Sequence, residues 1–292
     1  MPDPGEDVVL RRKIMAGSGS DVVPPIAAKR VSILERVYGV SAVRKGAVLA
    51  LLALAWELCA RATNNELLLP TFVQTNLAFI NGVIDGEIPL RVWTSLRVLL
   101  VGYAIGIALA AALTAFGVVS RIGRDFLETL TAMFQPLPAI ALLPIALLWF
   151  GLGDLSLLFV IVHSVLWAVA LNMHSGFQSV SETLRMVGRN YGLTGVAFVR
   201  RILLPAALPS ILTGLKIGWA FAWRTLIASE LVFGVSSGSG GLGWYIYENK
   251  NELEISKVFA GLFTVVLIGL VVENLIFKTI ERRTVRVWGM QN

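Results

Sequence analysis

Arg185–Pro209 reads RMVGRNYGLTGVAFVRRILLPAALP. It is too polar and too short to cross a bilayer, yet long apolar runs stand on both sides. Arg185, Arg189, Arg200 and Arg201 surround Gly192, and Ile202 and then Leu204-Pro205 follow it. Glycine tolerates backbone angles that let two short helices meet sharply. Thr194 is placed to cap the second helix, and Pro205 to end it while starting the next span. The stretch is expected to form a helix–glycine–helix knuckle at the water surface, where a soluble partner docks. An ordinary amphipathic inner loop is the competing reading.

The rest of the chain is mostly apolar. Of 292 residues, 56% are hydrophobic and only 15% charged, with a mean hydropathy of +0.74. Soluble domains carry roughly 25% charged residues, and the repeated apolar runs lack the polar face a soluble bundle would show. The net charge of +6 requires no nucleic acid, because the basic residues cluster beside apolar runs as the positive-inside tendency expects. The single cysteine, Cys59, excludes an internal disulfide or thiolate metal site. His163 and His174 share one apolar run and read as packed or lumen-facing residues rather than ligands.

Taken in order, residues 1–44 form a polar, basic tail with Gly/Ser/Pro punctuation, expected to be cytoplasmic and partly disordered. No apolar core adjoins the first methionine, so it is not read as a signal peptide; residues 31–40 suit a short interfacial helix. A transmembrane domain over 45–290 follows. Its spans are expected at 46–60, 92–119, 126–150, 155–174, 211–233 and 257–280. Glu57 lies close enough to the far end of the first span to reach water. The segment 63–90 is expected outside, with a surface helix over 71–84. Gly102 and Gly106 give a small-xxx-small pair for close helix contact, with lipid-facing packing as the alternative. Three prolines in the third span, Pro136, Pro138 and Pro144, remove backbone donors and imply a bent element facing protein or a pathway. Residues 236–256 read as an outer loop with a re-entrant or surface helix.

Assigning the tail, the inner loops and the C-terminal Lys278, Arg282, Arg283 and Arg286 to the cytoplasm gives that side most of the Lys and Arg. The expected fold is therefore an all-α membrane protein of about six transmembrane helices with both termini inside.

Leu67–Trp288 resembles the permease subunits of type I ATP-binding-cassette importers, and within them the nitrate/sulfonate/taurine and bicarbonate group. The matching pieces stand in order: Leu69-Pro70 with TFVQ, TSLRVLLVGYAIGIALA, QPLPAIALLPIALLWFGLGD, the opening stretch, AWRTLIASE at Ala222–Glu230, and Gly241-Leu242-Gly243. Such permeases carry a cytoplasmic coupling loop, here 178–205, with the pattern Glu-Ala-Ala, three residues, Gly, nine residues, Ile-x-Leu-Pro. Gly192, Ile202, Leu204 and Pro205 match it. The acidic position is instead Met186, followed by Val187 and Gly188, so any ion pair a glutamate would make is open.

The chain has no GxxxxGK[ST] phosphate loop, so energy must come from another protein. The resemblance implies two permease copies, two ATPase subunits that bind ATP and Mg, and a periplasmic solute-binding protein. It implies coupling through Arg189, Gly192, Ile202, Leu204 and Pro205, with no cofactor or metal in this chain. The third and fifth spans are expected to build the path for a small anion such as a sulfonate, taurine, nitrate or bicarbonate, with Pro138, Pro144, Trp149, Arg224 and Glu230 as candidates. An ionisable residue inside a span is a functional hypothesis by default. Arg224 and Glu230, six apart, fall on roughly opposite helix faces. Arg224 suits a positive patch for an anion, or equally an ion pair or snorkelling; Glu230 is structural or gate-forming. A secondary transporter or channel is the alternative class, but neither coupling carboxylates nor an inverted repeat stands out. Without HExxH, GxSxG or a facing acid pair, an enzyme is disfavoured.

Overall fold

The computed structural model describes residues 41–233 and 240–284, all in helices and their connections. Two compact units are distinguished, Met1–Leu54 and Ala55–Asn292. The tail through residue 40, the glycine run at 236–239 and the C-terminal Arg286 lie outside the described residues. Ser41–Arg44, assigned to the tail from their polarity, are instead a helical turn continuous with the apolar run. Nothing in that turn is a helix breaker, so the apolar run that follows extends back through it.

Among the described residues, five helices are long and apolar enough to cross a membrane. They are α1 (Ser41–Thr63), α3 (Glu87–Val119), α6 (Asp154–Gln178), a helical stretch over 195–232, and one over 255–283. Between Ser120 and Gly151 the chain forms α4 (Arg121–Phe134), a 3₁₀ turn at Ala139–Leu142, and α5 (Leu143–Phe150). The two arms are bent by 88° and count as a sixth span only if taken together. The prolines explain the break. Pro136 and Pro138 fall in the connection, where Pro138 is extended at φ −62°, ψ 121°. Pro144 sits in the first turn of α5, where a missing N–H costs nothing. The single bent span expected over 126–150 is thus two helices meeting near a right angle.

Helix α6 is the core of the second unit. Val160, Ile161, Val165, Val169 and Ala170 on it are fully buried, and α3 packs on one side of it. A Cβ on Gly102 would lie 2.7 Å from Ile161 and one on Gly106 2.6 Å from Val165. The expected small-residue pair is therefore a helix contact, not a lipid face. On the other side lies α9 (Leu204–Phe233), whose Gly214 and Gly218 press on Asn172 and Val169 in the same way. Where helices do not gain from excluding water from one another, this close approach supplies the attraction.

The surface helix α2 (Phe72–Ile84) begins with a reciprocal capping box. Gln74 N–H donates to Thr71 Oγ1 at 3.1 Å, and Thr71 N–H donates to Gln74 Oε1 at 2.9 Å. Glu57 also accepts the N–H of Val73 at 3.3 Å and pairs with Arg61, so its charge meets a helix N-terminus. The helix in the loop expected outside is α10 (Leu242–Asn251), packed inward through Leu242, Tyr245, Ile246 and Asn249. The last span, α11 (Ile255–Val271), passes through a π turn at Val272–Phe277 into α12 (Lys278–Arg283). Lys216 of α9 reaches Glu273 at 3.0 Å and Glu281 at 4.0 Å from this helix end.

Candidate functional site

The opening stretch folds as α7 (Glu182–Asn190), a glycine turn, α8 (Gly195–Phe198) and a π turn, Val199–Leu203, that runs into α9. Ser181 starts α7 by accepting Leu184 N–H at 3.4 Å. Arg185 fastens α7 to the end of α6, donating to the carbonyls of Phe177 at 2.5 Å and Val180 at 3.1 Å. A cation on the last carbonyls of a helix also suits its dipole. Gly192 is the pivot: at φ +73° it is left-handed, and its N–H donates to Arg189 O at 2.8 Å. Leu193 N–H closes the turn on Gly188 O at 3.1 Å.

Gly188, which stands second after Met186, shows what the loop needs there. A Cβ on it would come within 2.8 Å of Phe198 and 2.9 Å of Ile202. A small residue lets α7 lie flat on the returning chain. Leu203 is buried, whereas Leu204 is exposed. Arg189 is exposed and reaches Glu182 at only 3.9 Å, a weak pair. Met186, Tyr191 and Val196 are exposed, the last two more than 80%.

Two expectations for this loop are corrected. Thr194 occupies the cap position of α8, but its hydroxyl makes no capping bond. Gly195 behind it is left-handed at φ +53°, which turns the first amides away from that hydroxyl. Pro205 does not end the surface helix, because the chain stays helical from Gly195 to Val232. The π turn directly before Pro205 takes up the irregularity that two prolines, Pro205 and Pro209, impose by lacking an N–H.

The bend between α4 and α5 opens a cavity of about 340 Å³. Pro138 and Arg224 line it, as do Phe134, His163, Trp167 and Phe221. Pro144 and Trp149 do not: both are exposed, and Trp149 packs edge-on against Phe150 and Phe159. Among the described residues Arg224 has no hydrogen-bond or ion-pair partner, while Glu230 is 3% exposed and fully engaged. Ser95 on α3 donates to its carboxylate at 2.8 Å, and Gly243 N–H donates to Oε2 at 2.8 Å. Leu242 N–H in turn donates to Ser95 Oγ at 2.8 Å. The Glu230 that ends AWRTLIASE thus seats the first amides of the helix opened by Gly241-Leu242-Gly243. Sequence reasoning quoted both motifs but missed that they meet. The signal available was that the two glycines flank a residue at a helix start, where a carboxylate is favoured.

The family described as binding-protein-dependent transport system inner membrane component matches residues 102–286, covering the loop, the cavity helices and Glu230. The chain belongs to this family. Three curated relatives narrow it further. The nitrate import permease protein NrtB of Synechocystis is 28% identical over 269 residues, which is 90% of this chain and 95% of that protein. The taurine transport system permease protein TauC of Escherichia coli is 30% identical over 63% of this chain and 62% of its own length. The putative aliphatic sulfonates transport permease protein SsuC of the same organism is 28% identical over 58% and 63%. The protein is a multi-pass inner-membrane permease of an ATP-binding-cassette importer, in the nitrate/sulfonate/taurine group.

In this permease the loop and the cavity share their walls. Helix α6 carries His163 and Trp167 at the cavity and the Phe177 carbonyl gripped by Arg185. The helix leaving the loop at Gly195 carries Arg224 and Phe221. Of the other histidine, His174, Nε2 lies 3.1 Å from Glu128 and 2.8 Å from Gln178, a packed role.

Proposed function

We propose that this permease forms the translocation pathway for a small anion and is driven by ATP hydrolysed on a separate ATPase docked at 185–209. The observation that carries this reading is that both helices leaving the loop also wall the cavity beside Arg224. A push on a knuckle held by Arg185 and Gly188 is transmitted to the cavity without an intervening flexible joint. Packed helices respond to such a push by switching between discrete arrangements, which is what alternating access requires. The substrates for which the relatives are named, nitrate, taurine and aliphatic sulfonates, support a small oxyanion.

In this reading two copies of the permease pair, two ATPase subunits bind ATP and Mg, and a periplasmic binding protein delivers the solute. Both termini face the cytoplasm. Arg189, Gly192, Ile202, Leu204 and Pro205 belong to the coupling element. Pro138 and Arg224 line the pathway, Pro144 and Trp149 flank it, and Glu230 holds its outer end together.

The test is uptake into vesicles containing the permease with the ATPase and binding protein that co-purify with it. Uptake of a small anion that requires all three and hydrolysable ATP is the expected result. Uptake by the permease alone, driven by an ion gradient, would make it a secondary carrier and overturn the proposal.

A further inference from the structure

Helix α3 carries a cation that neither the cavity nor the loop uses. Arg97 stands in TSLRVLLVGYAIGIALA two residues after Ser95, away from the face that packs through Ser95, Leu99 and Gly102. It is exposed, and among the described residues its guanidinium has no hydrogen-bond or ion-pair partner. The positions sharing its face recur at three- and four-residue steps: Trp93 before it, then Leu100, Val101, Ile105 and Leu109 after it, all exposed. Arg97 is the single charge between Trp93 and Leu109, on a stripe otherwise suited to hydrocarbon.

Its depth follows from the length of the helix. Residues 98–119 carry no charge and extend roughly 33 Å at about 1.5 Å per residue, which fills a hydrocarbon core of ~30 Å. Arg97 therefore stands at one edge of that core, with Arg121 and Arg124 beyond the other. Side chains on a helix lean toward its N-terminus, here toward Trp93 and out of the core. An indole ring favours the same level, where hydrocarbon meets headgroups.

Chemistry decides what meets the guanidinium there. A charge set bare against acyl chains is costly. Glu57, Glu230, Glu273 and Glu281 are the carboxylates that the five spanning helices carry outside their first turns, and each is engaged within the chain. A second copy facing this stripe would bring no free carboxylate from inside a span. A phospholipid presents an oxyanion at this depth with hydrocarbon directly below it. The planar fork of arginine matches phosphate oxygens, and the apolar stripe continues where the acyl chain must run.

We propose that the Trp93–Leu109 face of α3 is a binding site for one phospholipid molecule. Arg97 holds the phosphate, Trp93 flanks the headgroup, and an acyl chain lies along Leu100, Val101, Ile105 and Leu109. The site depends neither on the transported solute nor on which side of the membrane the loop faces.

The test is native mass spectrometry of the full-length permease in non-ionic detergent, titrated with dioleoylphosphatidylglycerol and with dioleoylglycerol, which has the same chains and no phosphate. The parent protein is expected to bind the first phosphatidylglycerol at least ~10-fold more tightly than dioleoylglycerol. Arg97→Gln should hold one phosphatidylglycerol fewer per chain, and Arg97→Lys should retain it in part, because an ammonium keeps the charge and loses the fork. Light scattering should show the same oligomeric state in all three proteins. Equal binding of the two lipids by the parent overturns the site and needs no variant. An Arg97→Gln protein that keeps its full complement of phosphatidylglycerol overturns it as well. Separation of the copies in Arg97→Gln, with lipid binding unchanged, would assign Arg97 to a contact between permeases and overturn the lipid site.

Discussion

Ser95 Oγ lies 2.8 Å and 2.9 Å from the two carboxylate oxygens of Glu230, tying α3 to α9 through a single hydroxyl. The approach is so close that a Cβ on Gly241 would stand 2.1 Å from Glu230 Oε1 and 2.3 Å from Ser95 Oγ. Three separate segments, around Ser95, Glu230 and Gly241, meet with no room for an additional methyl group. Each depends on the other two.

This latch works by hydrogen bonding, so it predicts an asymmetric mutational pattern. In Glu230→Gln an amide oxygen at the Oε2 position still accepts from both Gly243 N–H and the Ser95 hydroxyl, so the loss should stay near about 1 kcal/mol, below that of the alanine variants. Glu230→Ala and Ser95→Ala leave buried donors unpaired and should each cost about 1–3 kcal/mol. Gly243→Ala places a Cβ 2.6 Å from the Ile227 carbonyl and should cost about 1–3 kcal/mol by overpacking. Thermal unfolding of the purified variants checks this. Equal damage from Glu230→Gln and Glu230→Ala would mean the charge, not the hydrogen bonds, is what matters.

At the loop, Gly192 and Gly188 are needed for different reasons. Nothing lies within 4 Å of a Cβ on Gly192, so only its left-handed backbone restricts it. Asn, which tolerates that conformation, should preserve ATP-driven uptake, while Val should lose most of it, the backbone cost being about 1–2 kcal/mol or more. Gly188 has ordinary helical angles and no space. Gly188→Asn should therefore fail where Gly192→Asn succeeds. Uptake rates and ATPase stimulation in the four variants at these two positions, Asn and Val at each, decide the matter; tolerance of Val at Gly192 would remove the pivot from the coupling mechanism.

The proposed cytoplasmic placement of the loop predicts opposite labelling of two exposed positions. In a Cys59→Ser background, Asn65→Cys should react with a membrane-impermeant maleimide on intact cells. Tyr191→Cys should react only after permeabilisation. Labelling of both from the same side would disprove the orientation.

Much of this architecture was legible before any coordinates. The apolar run lengths located five spans, with ends shifted by a few residues because helices continue past the last apolar side chain. Gly102 and Gly106 were readable as a close contact or as a lipid face, and only the packing against Ile161 and Val165 decides for the contact. Gly214 and Gly218 have the same spacing and make the same kind of contact, against Asn172 and Val169. Lys216 between them pairs with Glu273 and Glu281. The third span was foreseen as bent, but its division into arms 88° apart was not. Prolines show where hydrogen bonds are lost and not which way the chain turns afterwards.

The two charges flagged on α9 separate most clearly what each level of description determines. Sequence alone establishes that Arg224 and Glu230 are costly in a membrane and, six residues apart, lie on different faces of one helix. It determines the helical class, the membrane, the knuckle at Gly192 and the absence of a nucleotide-binding loop. Only the tertiary structure assigns the partners: Glu230 is buried against Ser95 and the start of α10, and Arg224 opens onto the cavity at the α4–α5 bend. Local pattern sets how a segment folds and which side of it is polar. Which distant segment arrives opposite that side depends on the packing of all the helices together, and that is where a structural carboxylate and a cavity-facing guanidinium part ways.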